Sequence, residues 1–159
     1  MLKRAFTMLE LVFVIVVVGI LAASIIPQLE RDNLGEAAHQ VARHIRLAQH
    51  HALVYDTFGL AGNPAYGIFF NGTAYTISDG TNAVVDPLTK KPLLNYDLGK
   101  DFGVTEMNAT NITFDHMGRP TPDGDAMIEI GTGDANATIM VYQETGFVKV
   151  TKIGSTVLP

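Results

Sequence analysis

Apolar residues are continuous near the start of the chain and periodic after it. From Phe6 to Ile26 the sequence is almost entirely apolar, and Glu10 is its one ionisable residue. A helix that rises ~1.5 Å per residue needs about 20 such residues to cross a hydrocarbon core of ~30 Å. Lys3 and Arg4 precede the run, and a positive flank keeps that end on the cytoplasmic side. The pattern predicts a membrane-spanning helix with the rest of the chain exported.

Glu10 separates this stretch from simpler hydrophobic segments. A carboxylate at membrane depth costs ~2.5–3.5 kcal/mol on insertion scales, so an ordinary membrane anchor has no reason to carry one. A carboxylate that reaches the lipid headgroups is the alternative to a functional one. A cleaved signal peptide, cut near Ala22-Ala23-Ser24, is a second alternative for the whole stretch. The residues alone leave these alternatives open.

A periodic pattern follows from Gln28 to Tyr55 and predicts an amphipathic helix. Its apolar positions recur at spacings of three and four: Leu34, Ala38, Val41, Ile45, Ala48, Ala52 and Tyr55. The opposite side carries Arg31, Glu36, His39, Arg43, Arg46 and His50. Pro27 predicts a bend or local loosening, and Gly35 is the weakest helical position. Together with the apolar run, the pattern predicts one helix of ~50 residues, or ~75 Å.

The remainder of the chain alternates between short apolar runs and turn residues, which is typical of strands. Residues 66–70 and 74–78 flank Asn71-Gly72 and predict a hairpin. Residues 81–110 predict a long surface excursion with one short strand at 93–96. Further strands are predicted at 111–115, 126–130, 138–142 and 147–151. The fold class is therefore α+β, with one long helix packed on an antiparallel sheet.

The N-terminal residues closely resemble the type IV prepilin (class III) signal. The residues that carry this resemblance are Lys3, Arg4, Ala5, Phe6, Thr7 and Glu10. The resemblance implies that a membrane peptidase cuts between Ala5 and Phe6 and methylates the new amine, and that the helix remains as a filament core. Glu10 would then pair with the Phe6 amine of a neighbouring subunit. Gly19 and Pro27 fall where pilins loosen this helix, whereas Ala5 stands where the family usually has Gly.

A looser resemblance covers the second half of the chain. Residues 38–55, 112–120 and 139–150 are similar to H-type pseudopilins and FimT-type minor pilins. The two resemblances imply a leader at 1–5, a transmembrane or filament-core helix at 6–27, an amphipathic helix at 28–56 and a β domain at 57–159.

These resemblances imply a structural subunit of a type IV pilus or a type II secretion pseudopilus. They favour a minor subunit over a major one. It would reside in the bacterial inner membrane with its C-terminal domain in the periplasm, and later in a filament. Its partners would be the prepilin peptidase, other subunits and an inner-membrane platform with its ATPase. The alternative is a tip subunit that binds DNA or a substrate.

Composition removes several other functions. The chain has no Cys, so it has neither disulfides nor thiol chemistry. Its formal charge of −5 argues against general nucleic-acid affinity, although Arg43, Arg46, Lys149 and Lys152 would form a small basic patch if the last hairpin packs beside the helix. No nucleophile, base and orienting group occur at catalytic spacing. We therefore expect neither an enzyme nor a cofactor.

Three weaker patterns concern metals and glycans. The four helical histidines, His39, His44, His50 and His51, lack the i, i+4 spacing of a zinc site and are interpreted as solvated surface. Loop carboxylates that would suit calcium occur at Asp123, Asp125 and Asp134, without EF-hand spacing. Two stretches resemble the extended bacterial N-glycosylation acceptor and place Asn108 and Asn136 in exposed loops, but Asn and Thr also simply populate turns.

Overall fold

The computed structural model describes residues 8–55, 66–121, 124–133 and 135–155; side chains at 23–32, 55, 151–153 and 155 lie outside this description. The chain forms two compact units, Met1–Asn33 and Leu34–Pro159. The first unit contains the apolar stretch, and the second contains the folded domain with its own hydrophobic core.

Helix α1 extends from Met8 to Tyr55 and includes 48 residues. The long helix predicted from the two hydrophobic patterns is thus confirmed at the level of the backbone. Glu10 lies in its first turn, where a carboxylate complements the helix dipole. The helix is continuous through Gly19, Pro27 and Gly35. The functional loosening at Gly19 and Pro27 stays a prediction.

The apolar stripe of the second half of α1 is buried, as its spacing predicts. The buried residues are Leu34, Ala37, Ala38, Val41, Ala42, Ile45, Ala48 and Ala52. Alanines dominate, so the helix axis can approach the strands closely, and Val41 and Ile45 each gain ~1.5–3 kcal/mol from burial. The opposite positions Glu36, His39, Arg46 and His50 are exposed. Two predicted members of the pattern, Arg31 and Tyr55, have side chains outside the described set.

Two antiparallel sheets complete the domain, where the sequence predicted one. In chain order the elements are β1 (Gly67–Asn71), β2 (Ala74–Ser78), β3 (Tyr96–Asp97), α2 (Leu98–Phe102), β4 (Glu106–Asn108), β5 (Ile112–Phe114), β6 (Pro120–Thr121), β7 (Ala126–Gly131), β8 (Ala135–Val141) and β9 (Val148–Ser155). The first sheet has the order β3-β2-β1-β5-β6, and the second has the order β4-β7-β8-β9. The sheets separate because β4 pairs with β7 while β5 returns to β1.

The β1–β2 hairpin is confirmed, but its turn lies one residue later than predicted. Asn71 pairs with Ala74, so the loop consists of Gly72 and Thr73. Gly72 has a φ of 60°. A positive φ at the first loop residue suits glycine at that place, which explains why Asn71 remains in the strand.

The surface excursion predicted for residues 81–110 is correct only in part: most of these residues are exposed, but the segment also has regular elements and reaches the core. This segment contains β3, α2 and β4, and it buries Val84, Leu93, Leu98 and Val104 in the core. The strand predicted at 93–96 is instead the two-residue β3. Its end is fixed by Asp97, which caps α2 by accepting hydrogen bonds from Gly99 N and Lys100 N. Elements of two to five residues are too short to show hydrophobic periodicity.

Candidate assembly surface

The N-terminal part of α1 exposes apolar side chains on all sides. Every described residue from Met8 to Ala22 is exposed, including Leu9 at 82% and Phe13 at 67%. A helix that is apolar all round is normally covered, either by protein or by lipid, and contiguous exposed apolar surface marks an interaction site. We call Met8–Ala22 the assembly surface.

Glu10 is the single carboxylate of the assembly surface, and it is exposed. It lies near the start of α1, on the unit that contains the predicted cleavage point. Ala5 and Phe6 lie outside the described residues. The predicted cleavage and the Phe6–Glu10 pair therefore stay predictions.

The structure bears on the predicted membrane stretch only in part. The stretch Phe6–Ile26 begins and ends outside the described side chains. Among the residues that are described, no helix has a long enough apolar segment to cross a membrane.

His44 joins α1 to the first sheet, which corrects its interpretation as solvated surface. It is 1% exposed, and its Nδ1 lies 2.7 Å from the Tyr75 hydroxyl. Its Nε2 lies 3.0 Å from Arg43 Nη2 and 3.2 Å from Gln40 Nε2. Guanidinium and amide nitrogens only donate, so Nε2 accepts and Nδ1 carries the hydrogen. The ring is therefore a neutral, specifically oriented part of the core.

Burial holds His44 in that neutral form. Burial and, to a smaller extent, the neighbouring Arg43 charge lower the pKa of His44 to about 4, against an opposing effect of Asp86. Burial likewise raises the pKa of Tyr75, so its hydroxyl stays protonated. Tyr96 contacts the same imidazole edge-on, with ring centroids 5.4 Å apart. This polar cluster thus fixes the rotation of α1 on the sheet.

Asp86 supplies the charge that faces Arg43. Its Oδ2 lies 3.6 Å from Arg43 Nη2, and the residue is 1% exposed. Burial raises the pKa of the Asp86 carboxyl, but hydrogen bonds from Leu88 N and the Thr89 hydroxyl, together with Arg43, outweigh that effect and lower it. The carboxylate is therefore ionised, and it orders the loop that follows it.

Gln49 joins α1 to two turns, the one between β5 and β6 and the one between β8 and β9. Its Nε2 donates to Gly118 O at 3.0 Å and to Gly146 O at 2.6 Å. One turn earlier, Arg46 Nη2 donates to Val148 O at 2.8 Å. The β8–β9 hairpin, the last of the chain's described hairpins, therefore lies beside the helix.

Loss of the Gln49 amide should weaken this attachment. We expect Gln49→Ala to lower the free energy of unfolding by ~2 kcal/mol, because two carbonyls on buried glycines lose their donor. Denaturant unfolding followed by circular dichroism measures the change. Gln49→Met keeps the side-chain volume and removes only the donor, so it should lose nearly as much. A fully stable Gln49→Met variant would contradict the role of the hydrogen bonds.

The other candidate ligands do not converge in the described part of the chain. His39 and His50 are exposed, as expected, and the His51 ring lies 5.4 Å from that of Tyr66. Among the described residues, no group of three or more His, Cys, Asp or Glu could hold a metal ion. Of the calcium candidates, Asp123 and Asp134 lie outside the described residues. Asp125 accepts a hydrogen bond from Gln143 N.

The glycan candidates lie in strands, which corrects their predicted placement in loops. Asn108 ends the edge strand β4 and is exposed. Asn136 belongs to β8, which is paired on both sides, and it is half-buried. A paired strand is harder for a glycosyltransferase to bend than a loop. The restriction is greatest at Asn136, because its strand is paired on both sides.

The basic patch is partly engaged by the domain itself. Arg43 faces Asp86 and His44, and Arg46 bonds the Val148 carbonyl. Lys149 is exposed, and the Lys152 side chain lies outside the described set. The expectation that nucleic acid is not the partner stays a prediction.

The polar residues that attach α1 were not found from the sequence. His44 and Gln49 stand beside the apolar stripe and resemble ordinary surface positions. One signal was available for Asp86: it precedes Pro87 and is followed three residues later by Thr89, a spacing typical of a turn in which Asp accepts backbone hydrogen bonds.

Comparison with known proteins supports the fold. No protein-family model and no curated protein matches the chain. Among solved structures, the crystal structure of the type IV minor pilin FimU from Pseudomonas aeruginosa (strain PAO1) is similar. The match has 16% sequence identity and a TM-score of 0.52, and it covers 76% of this chain and 97% of that chain. The chain is thus similar in fold to a type IV minor pilin, which confirms the predicted pilin-like α+β architecture.

Proposed function

We propose that this protein is a structural subunit, in a minor role, of a type IV pilus or a type II secretion pseudopilus. The observation that carries this proposal is the assembly surface, an apolar helix exposed on all sides at the start of a chain with a pilin-like fold. Covering that surface supplies the driving force for association, at ~25 cal/mol per Å² of apolar area. In the membrane, lipid covers it; in the filament, the helices of other subunits do.

The proposal includes processing and a register contact. The prepilin peptidase removes residues 1–5 and methylates Phe6. The new amine then pairs with Glu10 of the neighbouring subunit, because two opposite charges in apolar surroundings are tolerated only as a pair. Since this pair forms at one offset between helices, it sets the axial spacing of subunits.

The proposed life cycle has two locations. The subunit is first held in the bacterial inner membrane with the Leu34–Pro159 unit in the periplasm. An assembly platform and its ATPase then extract it into the filament. In this proposal the chain contributes its assembly surface to the process, and no catalytic step is assigned to it.

Intact mass and N-terminal sequencing of the protein from its native membrane test the proposal. We expect a chain that begins at N-methylated Phe6. A chain that begins at Met1 would reduce the protein to a static anchored domain, because Ala5 would then block the cut. A start beyond Ala23 would discard the assembly surface and the filament function with it.

Removal of the Glu10 carboxylate should abolish incorporation into filaments. We expect Glu10→Ala to insert and be cut normally but to be absent from sheared filaments, which an immunoblot measures. Glu36→Ala, at an exposed position of the same helix in the folded domain, is the matched control and should incorporate normally. Normal incorporation of Glu10→Ala would refute the register contact.

A further inference from the structure

An open aromatic cleft lies at the turn between β8 and β9. Tyr142 and Phe147 stack with ring centroids 6.2 Å apart and an interplanar angle of 21°. Phe147 is nevertheless 57% exposed. The cleft has a volume of about 640 Å³, and Asp125 and Glu144 line it beside the two rings. We call these four residues, together with Thr145, the aromatic cleft.

The cleft is preformed by its backbone. Tyr142 N donates to Phe147 O at 3.0 Å, and Gly146 N donates to Tyr142 O at 2.7 Å. Asp125 Oδ1 accepts from Gln143 N at 2.9 Å, which ties the start of β7 to the turn. A partner would therefore meet ordered groups and lose little entropy on their account.

The chemistry of the cleft fits a basic side chain beside an apolar one. Aromatic faces attract ammonium groups and pack against aliphatic carbon, and two carboxylates complement the positive charge. An acidic or strongly polar neutral partner would leave the rings and the carboxylates without complementary groups. The expected occupant therefore carries lysine or arginine next to an aliphatic residue.

The same chain presents such a segment in the loop that follows Asp86. Residues 87–91, which we call the tip, have the sequence Pro-Leu-Thr-Lys-Lys. Leu88 is 73% exposed, and Lys90 and Lys91 are exposed beside it. In a chain of net charge −5, two adjacent lysines next to an exposed leucine are an unusual local feature.

The tip is also held in one conformation. Asp86 accepts from Leu88 N at 3.1 Å and from the Thr89 hydroxyl at 2.9 Å. The backbone closes the loop with Lys90 N donating to Asp86 O and Asp86 N donating to Lys91 O, both at 2.9 Å. Because Asp86 is itself buried against Arg43, the tip is braced from within the domain.

We propose that the tip of one copy of this chain docks in the aromatic cleft of a second copy. Leu88 packs on Phe147, and the ammonium groups of Lys90 and Lys91 pair with Asp125 and Glu144. The two surfaces share no residue, so each contact is heterologous: the tip of one copy meets the cleft of another. The inference rests on the proposed function in one respect: two copies of this minor subunit must be neighbours in the filament.

Cross-linking of the full chain in mild detergent tests this contact, since the natural sequence has no cysteine. One differently tagged form carries Pro92→Cys, at an exposed position directly after the tip, and the other carries Thr145→Cys at the cleft. Mixed and treated with a short bismaleimide, the two forms should yield a covalent heterodimer. Lys100→Cys, at an exposed position on α2, is the control and should link to the cleft about tenfold less. Equal yields from Pro92→Cys and Lys100→Cys would overturn the proposal.

Charge exchange in the same cysteine forms tests the ion pairing itself. Adding Lys90→Asp to the tip form should reduce the heterodimer about tenfold, and adding Glu144→Lys to the cleft form should then restore it. Aspartate is chosen because Lys90 has a φ of 58°, which Asp tolerates. An unchanged yield with Lys90→Asp, or no recovery with Glu144→Lys, would refute the pairing. In native membranes, a cleft cysteine that links only to another protein would assign the cleft to that protein and refute the self-contact.

The outcomes separate this inference from the proposed function. A chain that begins at Phe6 but gives no heterodimer refutes the tip contact alone. A heterodimer from a chain that still begins at Met1 refutes the processed subunit and leaves the contact between copies standing.

Discussion

Replacing Gly146 by alanine is expected to lower the free energy of unfolding by about 3–5 kcal/mol, measured by denaturant unfolding of the full chain in detergent. Two costs combine. Gly146 has a φ of 64°, where an alanine is strained by ~1–2 kcal/mol. The added Cβ would also approach Gly118 O and Gln49 Nε2 more closely than real Cβ atoms ever do. Gly118 O belongs to the backbone of the β5–β6 turn, so this turn and the β8–β9 turn must move apart, which disrupts the hydrogen bonds that Gln49 donates to both turns.

Gly72→Ala is the matched control for that substitution. Gly72 has a φ of 60° but no atom within 4 Å of the position of an added Cβ. It therefore carries the backbone strain without the clash, and we expect a loss of only ~1 kcal/mol. Equal losses for Gly72→Ala and Gly146→Ala would contradict the close approach of the turn to the helix.

The helix and its buried face were predictable because their signals repeat. Seven positions at three- and four-residue spacing defined the stripe, and the structure buries the six of them whose side chains are described, Leu34 to Ala52. A repeating signal averages over local exceptions such as Gly35. The same holds for β1 and β2, where alternation and a glycine turn coincide.

The middle of the chain was not predictable in this way. Val84, Leu93, Leu98 and Val104 stand alone or in pairs with an exposed apolar neighbour, separated by prolines, lysines and glycines, yet each one reaches the core. Their burial depends on long-range partners, such as the hydrogen bond from Ile77 N to Leu93 O. A local pattern cannot show a contact whose two halves are sixteen residues apart.

The candidate site likewise has one part that the local sequence shows and one part that depends on distant residues. The assembly surface and Glu10 are visible in the sequence because they are a continuous apolar run with one exception. The contacts that orient α1 on its domain involve His44 with Tyr75 and Gln49 with Gly118 and Gly146. Each joins residues at least 31 positions apart, and a His or Gln beside an apolar stripe is equally common at plain surface positions.

The largest pH effect on stability should come from His44. Its pKa is about 4 in the folded protein and 6.5 in the unfolded chain, so only the unfolded state gains this proton between those values. The contribution of His44 is therefore complete above pH 6.5 and declines as the pH falls towards 4. Its full size is on the order of 3 kcal/mol for a shift of this extent. Below pH 4, protonation of Asp86 removes a further contribution, because its folded pKa is also lowered.

Chemical denaturation at pH 7, 6, 5 and 4 should show this decline in the natural protein and little of it in His44→Gln. The glutamine still offers a donor to the Tyr75 hydroxyl, so the variant should fold, with a loss at pH 7 of ~1–3 kcal/mol for imperfect packing. The pKa of His51 is lowered too, by burial and by His50, so His51→Gln measures its smaller share of the slope. A decline between pH 6.5 and 4 that is as steep in His44→Gln as in the natural chain would show that the buried imidazole is not its source. A decline that disappears would establish that the neutral His44–Tyr75 pair, which α1 and the first sheet share, stabilises the attachment of the helix to its domain.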